Sequence, residues 1–341
     1  MTENCLLPAV CCLCPTYGRF ERLRDAAACF LLQEYPGTKT LLVLNDAQQG
    51  IEVIAGHVSG HGIRMVNALP RFPNLGAKRQ WLLEAAHTPL VAHWDDDDLY
   101  LPWHLSMVVG TLVAEAARRK AAAIAAAKAG SPPVHPFCQC AKPGAAWWVH
   151  GPREGPFDVR GIHHNVFEGQ MAFNRQCALN LGGYPPLDSG QAKALLDAFH
   201  RAGELHTWNP NPYQTSYVYR WGDGADHVSA RRVATTGAGG GPGGDAPGNG
   251  QRGREAVQRD QDFGDGQPIV PEVDASAAPT GSDAATWARA RLHGPFRALA
   301  AGAAKWLSPA DHRSFSEALR VAVSATPVVE EKAGPGRTAA Q

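Results

Sequence analysis

No apolar run in this sequence reaches the roughly 18 residues that a membrane-spanning helix needs, so no transmembrane segment is expected. An excess of charge of one sign is also missing. Lys and Arg number 32 and Asp and Glu number 32, so no global field favours nucleic acid or an anionic membrane as a partner. The eight cysteines lack the spacing of a disulfide framework or a zinc site. Cys5, Cys11, Cys12, Cys14 and Cys29 crowd one end, and Cys138-x-Cys140 with distant Cys177 does not make two spaced pairs. Within AVCCLC, Cys11, Cys12 and Cys14 read as small hydrophobes of a buried strand. The N-terminal apolar patch has no basic residue before it and no small-residue cleavage pattern, which argues against a signal peptide. With thiols expected to be reduced, the location expected is cytoplasmic.

What the chain has is 341 residues, 44% of them hydrophobic and 19% charged, enough for at least one sizeable core. Pro8 to Cys14 reads as an apolar strand ending at Pro15-Thr16-Tyr17-Gly18-Arg19, and Phe20 to Glu34 as a helix. Further strands are expected at Thr40–Leu44, Ile63–Val66 and Pro89–Trp94, with a helix at Gly76–Ala86 between the last two. Strands alternating with helices predict a doubly wound, mostly parallel α/β sheet, whose ligands lie beyond the carboxyl ends of the strands. A helix after Pro102 continues into the Ala-rich segment Ala121–Ala129; short mixed strands follow between His135 and Phe173, and a helix at Leu187–Ala202.

Beyond about residue 235 the composition turns to TTGAGGGPGGDAPGNG, too poor in apolar residues to fold, and a flexible linker is expected. Ala284 to Leu307 and His312 to Val323 again carry apolar residues at helical spacing. The expected division is a main domain over 1–234, a linker over 235–283, a helical appendage over 284–325 and a disordered tail over 326–341. On this reading, deletion after about Ala234 leaves ligand binding intact.

The run Asp95-Asp96-Asp97-Asp98 stands directly behind an apolar strand. Two or three carboxylates there suit a hard divalent ion such as Mn²⁺ or Mg²⁺, with positions left open for phosphate oxygens. The bland alternative is a solvated loop in which Asp97 or Asp98 caps a helix.

PTYGR after the first strand, LVLND after the second, NLGAKRQWLLEAA before the acidic run and GGYPPLDSG later stand in an order and spacing that resemble glycosyltransferase family 2. The resemblance covers about residues 8 to 230. It implies a Rossmann-like GT-A fold, a nucleotide-sugar donor, and a DXD motif at Asp95-x-Asp97 with Asp98 following. It further implies that Pro15, Thr16 and Arg19 line the nucleotide pocket, that Asp46 accepts from the base, and that Lys78 and Arg79 lie near the nucleotide or its phosphates. Asp95 and Asp96 would face the sugar nucleotide, and Asp95, Asp97 and Asp98 the metal, with His227 a further metal or phosphate contact. Bland alternatives stand beside these: a turn aspartate at Asp46, an exposed basic pair at Lys78-Arg79, a structural histidine at His227.

One departure matters. Where inverting relatives often have Gln-Asp or Glu-Asp, this chain reads Gln191-Ala192; the nearest carboxylates are Asp188 on the preceding turn and Asp197, and Asp188 is taken as the general base that removes the acceptor's proton. The functional expectation is therefore a metal-dependent inverting transferase that moves a sugar, from a UDP-sugar by weak preference, to an unidentified glycan, lipid or protein acceptor. Its rival is a degenerate protein that binds nucleotide sugar or glycan without turnover. A nucleotidyltransferase is disfavoured, since Pro15–Arg19 is not a glycine-rich, basic triphosphate loop.

Overall fold

The first strand, β1 (Val10–Thr16), sends its side chains alternately to two cores and is buried throughout. Val10, Cys12 and Cys14 enter one; Cys11 and Leu13 enter the other. A strand with both faces covered belongs in the middle of a parallel sheet, and there it lies. The computed structural model describes residues 7–47, 61–132, 137–150, 157–164, 167–221 and 281–324.

The elements after β1 are α1 (Phe20–Leu31), β2 (Lys39–Asn45), β3 (Ile63–Asn67), α2 (Leu75–Ala85), β4 (Leu90–His93), β5 (Leu99–Tyr100) and α3 (His104–Lys128). Next come β6 (Cys140–Pro143), β7 (Ala145–His150), β8 (Asp158–His164), β9 (Ala172–Asn174), α4 (Arg175–Asn180), α5 (Gln191–Arg201), β10 (Leu205–Trp208) and β11 (Tyr217–Trp221). Two C-terminal helices, α6 (Gly281–Ala303) and α7 (Pro309–Ser324), complete the described chain.

Seven strands form the main sheet in the order β10-β6-β9-β4-β1-β2-β3. Its pairs are parallel except where β9 runs against β4 and β6. β1 has β2 on one side and β4 on the other, so the strand order reverses there, the position at which such sheets open a crevice. Thr16 at the end of β1 stands opposite Asn45 at the end of β2. A second sheet, β5-β11-β7-β8, packs beside the first.

The chain is thus mixed α/β with a mostly parallel central sheet flanked by helices, as the alternating pattern predicts. α3 runs unbroken from His104 to Lys128, so the Ala-rich segment is its second half. α5 begins at Gln191, later than the apolar pattern places it, behind a Gly190 with φ 77°. The C-terminal helices do dock on the main domain: Leu292, Phe296, Leu299, Phe315 and Leu319 lie in the same core as α1 and α3. Residues 235–280 and 325–341 lie outside the described residues, and with them the expected tail and most of the expected linker, whose last residues, 281–283, already belong to α6.

Candidate active site

β4 leads straight into the acidic run, and large aromatics lock its exit. Trp94 is fully buried, stacked on Tyr100 at 3.8 Å, and its Nε1 donates to the Ala26 carbonyl at 3.0 Å. The Asp95 amide donates to the Tyr100 hydroxyl at 2.7 Å. Asp96, Asp97 and Asp98 are buried, so the run is no solvated loop, and α3 starts only at His104 with no side-chain cap.

Like charges at this density need internal partners, because burial without them would neutralise the carboxyls. Asp96 accepts from Thr16 Oγ1 at 2.6 Å and from the Arg19 guanidinium. The other arm of Arg19 donates to Asp97 Oδ2 at 2.8 Å, with Arg22 at 3.7 Å from the same oxygen. Asp95 accepts from Arg79 Nη2 at 2.5 Å. Asp98 accepts from the Tyr217 hydroxyl and, at 3.0 Å, from the Arg220 amide. Burial pushes the Asp96 carboxyl up, opposed first by Arg19. Asp98 is pushed well up, by burial and then by Asp97 and Asp95, against its bonds from Tyr217 and Arg220. Burial works against the Arg19 charge too, but Asp96 and Asp97 outweigh it and leave the guanidinium harder to deprotonate.

Lys78 and Arg79 are not an exposed pair: both are buried on α2. Lys78 Nζ pairs with Asp46 Oδ1 at 2.5 Å and also donates to the Thr16 carbonyl, tying the ends of β1 and β2 together. Burial lowers its pKa, and Asp46 opposes that. The second Asp46 oxygen accepts from the Phe72 amide at 3.1 Å. Arg79 also reaches His93 Nδ1 at 3.1 Å, and His93 stacks on Tyr184 with ring centroids 5.5 Å apart. Burial, and after it Arg79, hold His93 well below its usual range and so neutral.

Above these residues opens a cleft of about 490 Å³, lined by Pro15 to Arg19, Asp46, Arg71 to Leu75, Lys78 and Asp188. At its rim Tyr17 is 47% exposed, with the Arg71 guanidinium 4.0 Å from its ring centroid. Asp188 lines the same cleft and is exposed. Its loop is held by close backbone approach: the Gly76 amide donates to the Leu187 carbonyl at 2.9 Å, and a Cβ on Gly76 would lie 1.9 Å from the Pro185 oxygen. The GGYP turn is pinned likewise, for Gly183 has φ 65° and the Tyr184 amide donates to Gln80 Oε1 at 2.9 Å.

The structure therefore gathers Pro15, Thr16, Arg19, Asp46, Lys78 and Asp188 around one cleft. It joins Asp96 and Asp97 to that cleft through Thr16 and Arg19, and Asp95 to Arg79. His227 lies outside the described residues. Sequence reasoning assigned no role to Arg22, Asp25 or Tyr217. The signal for two of them was present: Arg22 and Asp25 interrupt the apolar face of α1 and are buried there.

Among the described residues, no group of three or more His, Cys, Asp and Glu side chains stands ready to hold a metal ion. Exposure divides the run. Asp96 and Asp98 are 1% and 2% exposed, whereas the Asp95 and Asp97 side chains keep 21% and 11%. A divalent ion that takes one or two carboxylates and completes its shell with phosphate oxygens and water fits that second pair. It does not fit Asp98.

No protein-family model matches the chain, and no curated protein matches it. Among solved structures the chain is similar to S. aureus TarS, with a TM-score of 0.46 and 11% identity over 62% of this chain and 37% of that one. It is similar also to S. aureus TarS 1-349 in complex with UDP-GlcNAc, with a TM-score of 0.42 and 12% identity over 64% of this chain and 60% of that chain. For the complex of TarS 1-349 with UDP the values are 0.41 and 13%, over 62% and 60%. The chain spans less than two thirds of the length of each of these proteins.

Proposed function

We propose that this chain is a nucleotide-sugar-dependent glycosyltransferase of the GT-A type, and that its cleft takes the nucleoside diphosphate of the donor, a UDP-sugar in the first instance. The observation that carries the reading is the shared cleft at the carboxyl ends of β1 and β2, where Thr16, Arg19, Asp46 and Lys78 meet beside the acidic run at the point where strand order reverses.

In this reading Tyr17 and Arg71 offer flat surfaces to the base, and the Asp46 carboxylate accepts from it. Arg19 and Lys78 supply positive charge toward the phosphates. Asp95 and Asp97 would hold Mn²⁺ or Mg²⁺, which when bound neutralises charge on the leaving diphosphate. Asp188 takes the proton of the acceptor hydroxyl as its oxygen attacks the anomeric carbon from the face opposite the diphosphate, so that configuration inverts. A second reading, a protein that binds donor or glycan without turnover, is favoured by one observation: Ala192 stands where a base is expected. Asp188→Asn separates the two, because an enzyme loses turnover and keeps donor affinity, and a binder has no turnover to lose.

The test of the site is titration of UDP with and without Mn²⁺ against the protein and its Asp97→Asn variant. The reading expects Mn²⁺ to tighten UDP binding to the native protein and to lose most of that effect in the variant. An unchanged metal effect in Asp97→Asn would overturn the assignment.

A further inference from the structure

α6 presents Leu292, Phe296 and Leu299 to the core shared with α1, and beside that apolar stripe it places Arg291. Arg291 Nε donates to Asp25 Oδ1 at 2.7 Å, and Nη2 donates to the Glu21 carbonyl at 2.9 Å and its carboxylate at 3.1 Å. Asp25 lies within α1 and is only 2% exposed. Its second oxygen accepts from Arg220 Nη1 at 3.0 Å. Arg220, itself 4% exposed, donates through Nε to the Asp97 carbonyl at 2.5 Å and through its amide to Asp98 Oδ1 at 3.0 Å. A continuous chain of charge-assisted bonds therefore runs from a helix beyond residue 280 to the backbone and carboxylate of the acidic run.

Each link is buried or nearly so, where such bonds are strong and an uncompensated group is costly. Arg220 sits between Asp25 and the Asp97 carbonyl and has a buried Nη2 with no hydrogen-bond partner among the described residues, so it depends on Asp25 for its aim. Asp25 in turn is oriented from both sides, by Arg220 and Arg291. Loss of Arg291 removes the donor on Asp25 Oδ1 and so loosens the hold on Arg220, the group bonded to the Asp97 carbonyl.

We propose that Arg291 is a positioning residue for the acidic run, acting through Asp25 and Arg220, so that the C-terminal helices complete the site rather than decorate it. This revises the expectation that the chain beyond Ala234 is dispensable for ligand binding. The inference rests on the proposed donor site for its consequence in binding, but the coupling itself has a nucleotide-free readout.

The experiment uses the full chain and five variants: Arg291→Ala, Arg291→Lys, Asp25→Asn, the last combined with Arg291→Ala, and Trp306→Ala as a control. Trp306 anchors the same helical pair elsewhere, donating to the Val159 carbonyl at 3.1 Å. In the free protein, hydrogen exchange of the amides at 95–98 is expected to quicken about tenfold in Arg291→Ala, less in Arg291→Lys, and to stay near native in Trp306→Ala. UDP affinity in the presence of Mn²⁺ is expected to fall about tenfold in Arg291→Ala, while Trp306→Ala stays within twofold whatever its melting temperature. Adding Arg291→Ala to Asp25→Asn should cost little beyond Asp25→Asn alone, as members of one network do. Native exchange in Arg291→Ala, or equal effects in Arg291→Ala and Trp306→Ala, would overturn the inference. A native protein that binds no nucleoside diphosphate would instead overturn the donor reading, and the exchange data would still decide the coupling.

Discussion

The two walls of the cleft are built differently. On the wall formed by β1, β2 and α2, the charged side chains are paired within the fold: Lys78 with Asp46, Arg19 with Asp96 and Asp97, Arg79 with Asp95. On the lip formed by the Pro185–Gly190 loop, Asp188 is exposed and the next candidate position is Ala192. A site that must grip a charged, invariant group benefits from preorganised charge; a lip that admits an acceptor and releases a product has no such need. Substitutions on the first wall should cost stability and binding together, and substitutions on the second should cost turnover alone.

The largest expected effect is on the first wall. Lys78→Ala strands Asp46 in a buried site and should destabilise the fold by about 3–5 kcal/mol, read as a fall in the denaturant midpoint, with UDP affinity lost as well. The Pro185–Gly190 loop gives the sharpest contrast: Asp188→Asn should lower turnover by about a hundredfold or more while stability moves by less than about 0.5 kcal/mol. An Asp188→Asn protein that lost stability but kept its turnover would break the comparison. Thr16→Val removes a bond to a buried carboxylate and should cost about 1.5–3 kcal/mol in chemical denaturation.

A pH-dependent effect is expected behind the first wall, at the start of α3. Burial lowers His104 to about 3, and its Nδ1 lies 2.8 Å from Ser216 Oγ. As pH falls below about 6.5 the unfolded chain takes up a proton at this site that the folded chain refuses until about 3. His104 therefore contributes stability that is fully present above 6.5 and is lost on acidification, at about 1.4 kcal/mol per pH unit. Measured from pH 7 to 5, the slope should flatten in His104→Gln; an unchanged slope would remove His104 as its cause.

Most of the first wall was legible before the structure. PTYGR, LVLND and the acidic run each end an apolar strand, and a parallel sheet brings such ends to one edge whatever the side chains do next. The partners of the run were not legible. Tyr217 and Arg220 lie about 120 residues from Asp98 along the chain, and no local pattern announces a pairing at that separation. The docking of α6 was half legible for a similar reason: Leu292, Phe296 and Leu299 mark an apolar face, but spacing alone does not name the surface that covers it. Arg291 within that contact carried no signal at all until Asp25 was seen to be buried.

The most direct test of the central claim is a thermal-shift series with UDP, GDP, ADP, CDP and dTDP, each with and without Mn²⁺. A ligand that binds only the folded state raises its melting temperature by mass action, by an amount that grows with concentration above the dissociation constant. The account predicts a rise with one nucleotide, UDP first, that is larger in the presence of Mn²⁺. No rise with any of the five at millimolar concentration would contradict it and leave the four aspartates as an internally neutralised corner of the fold.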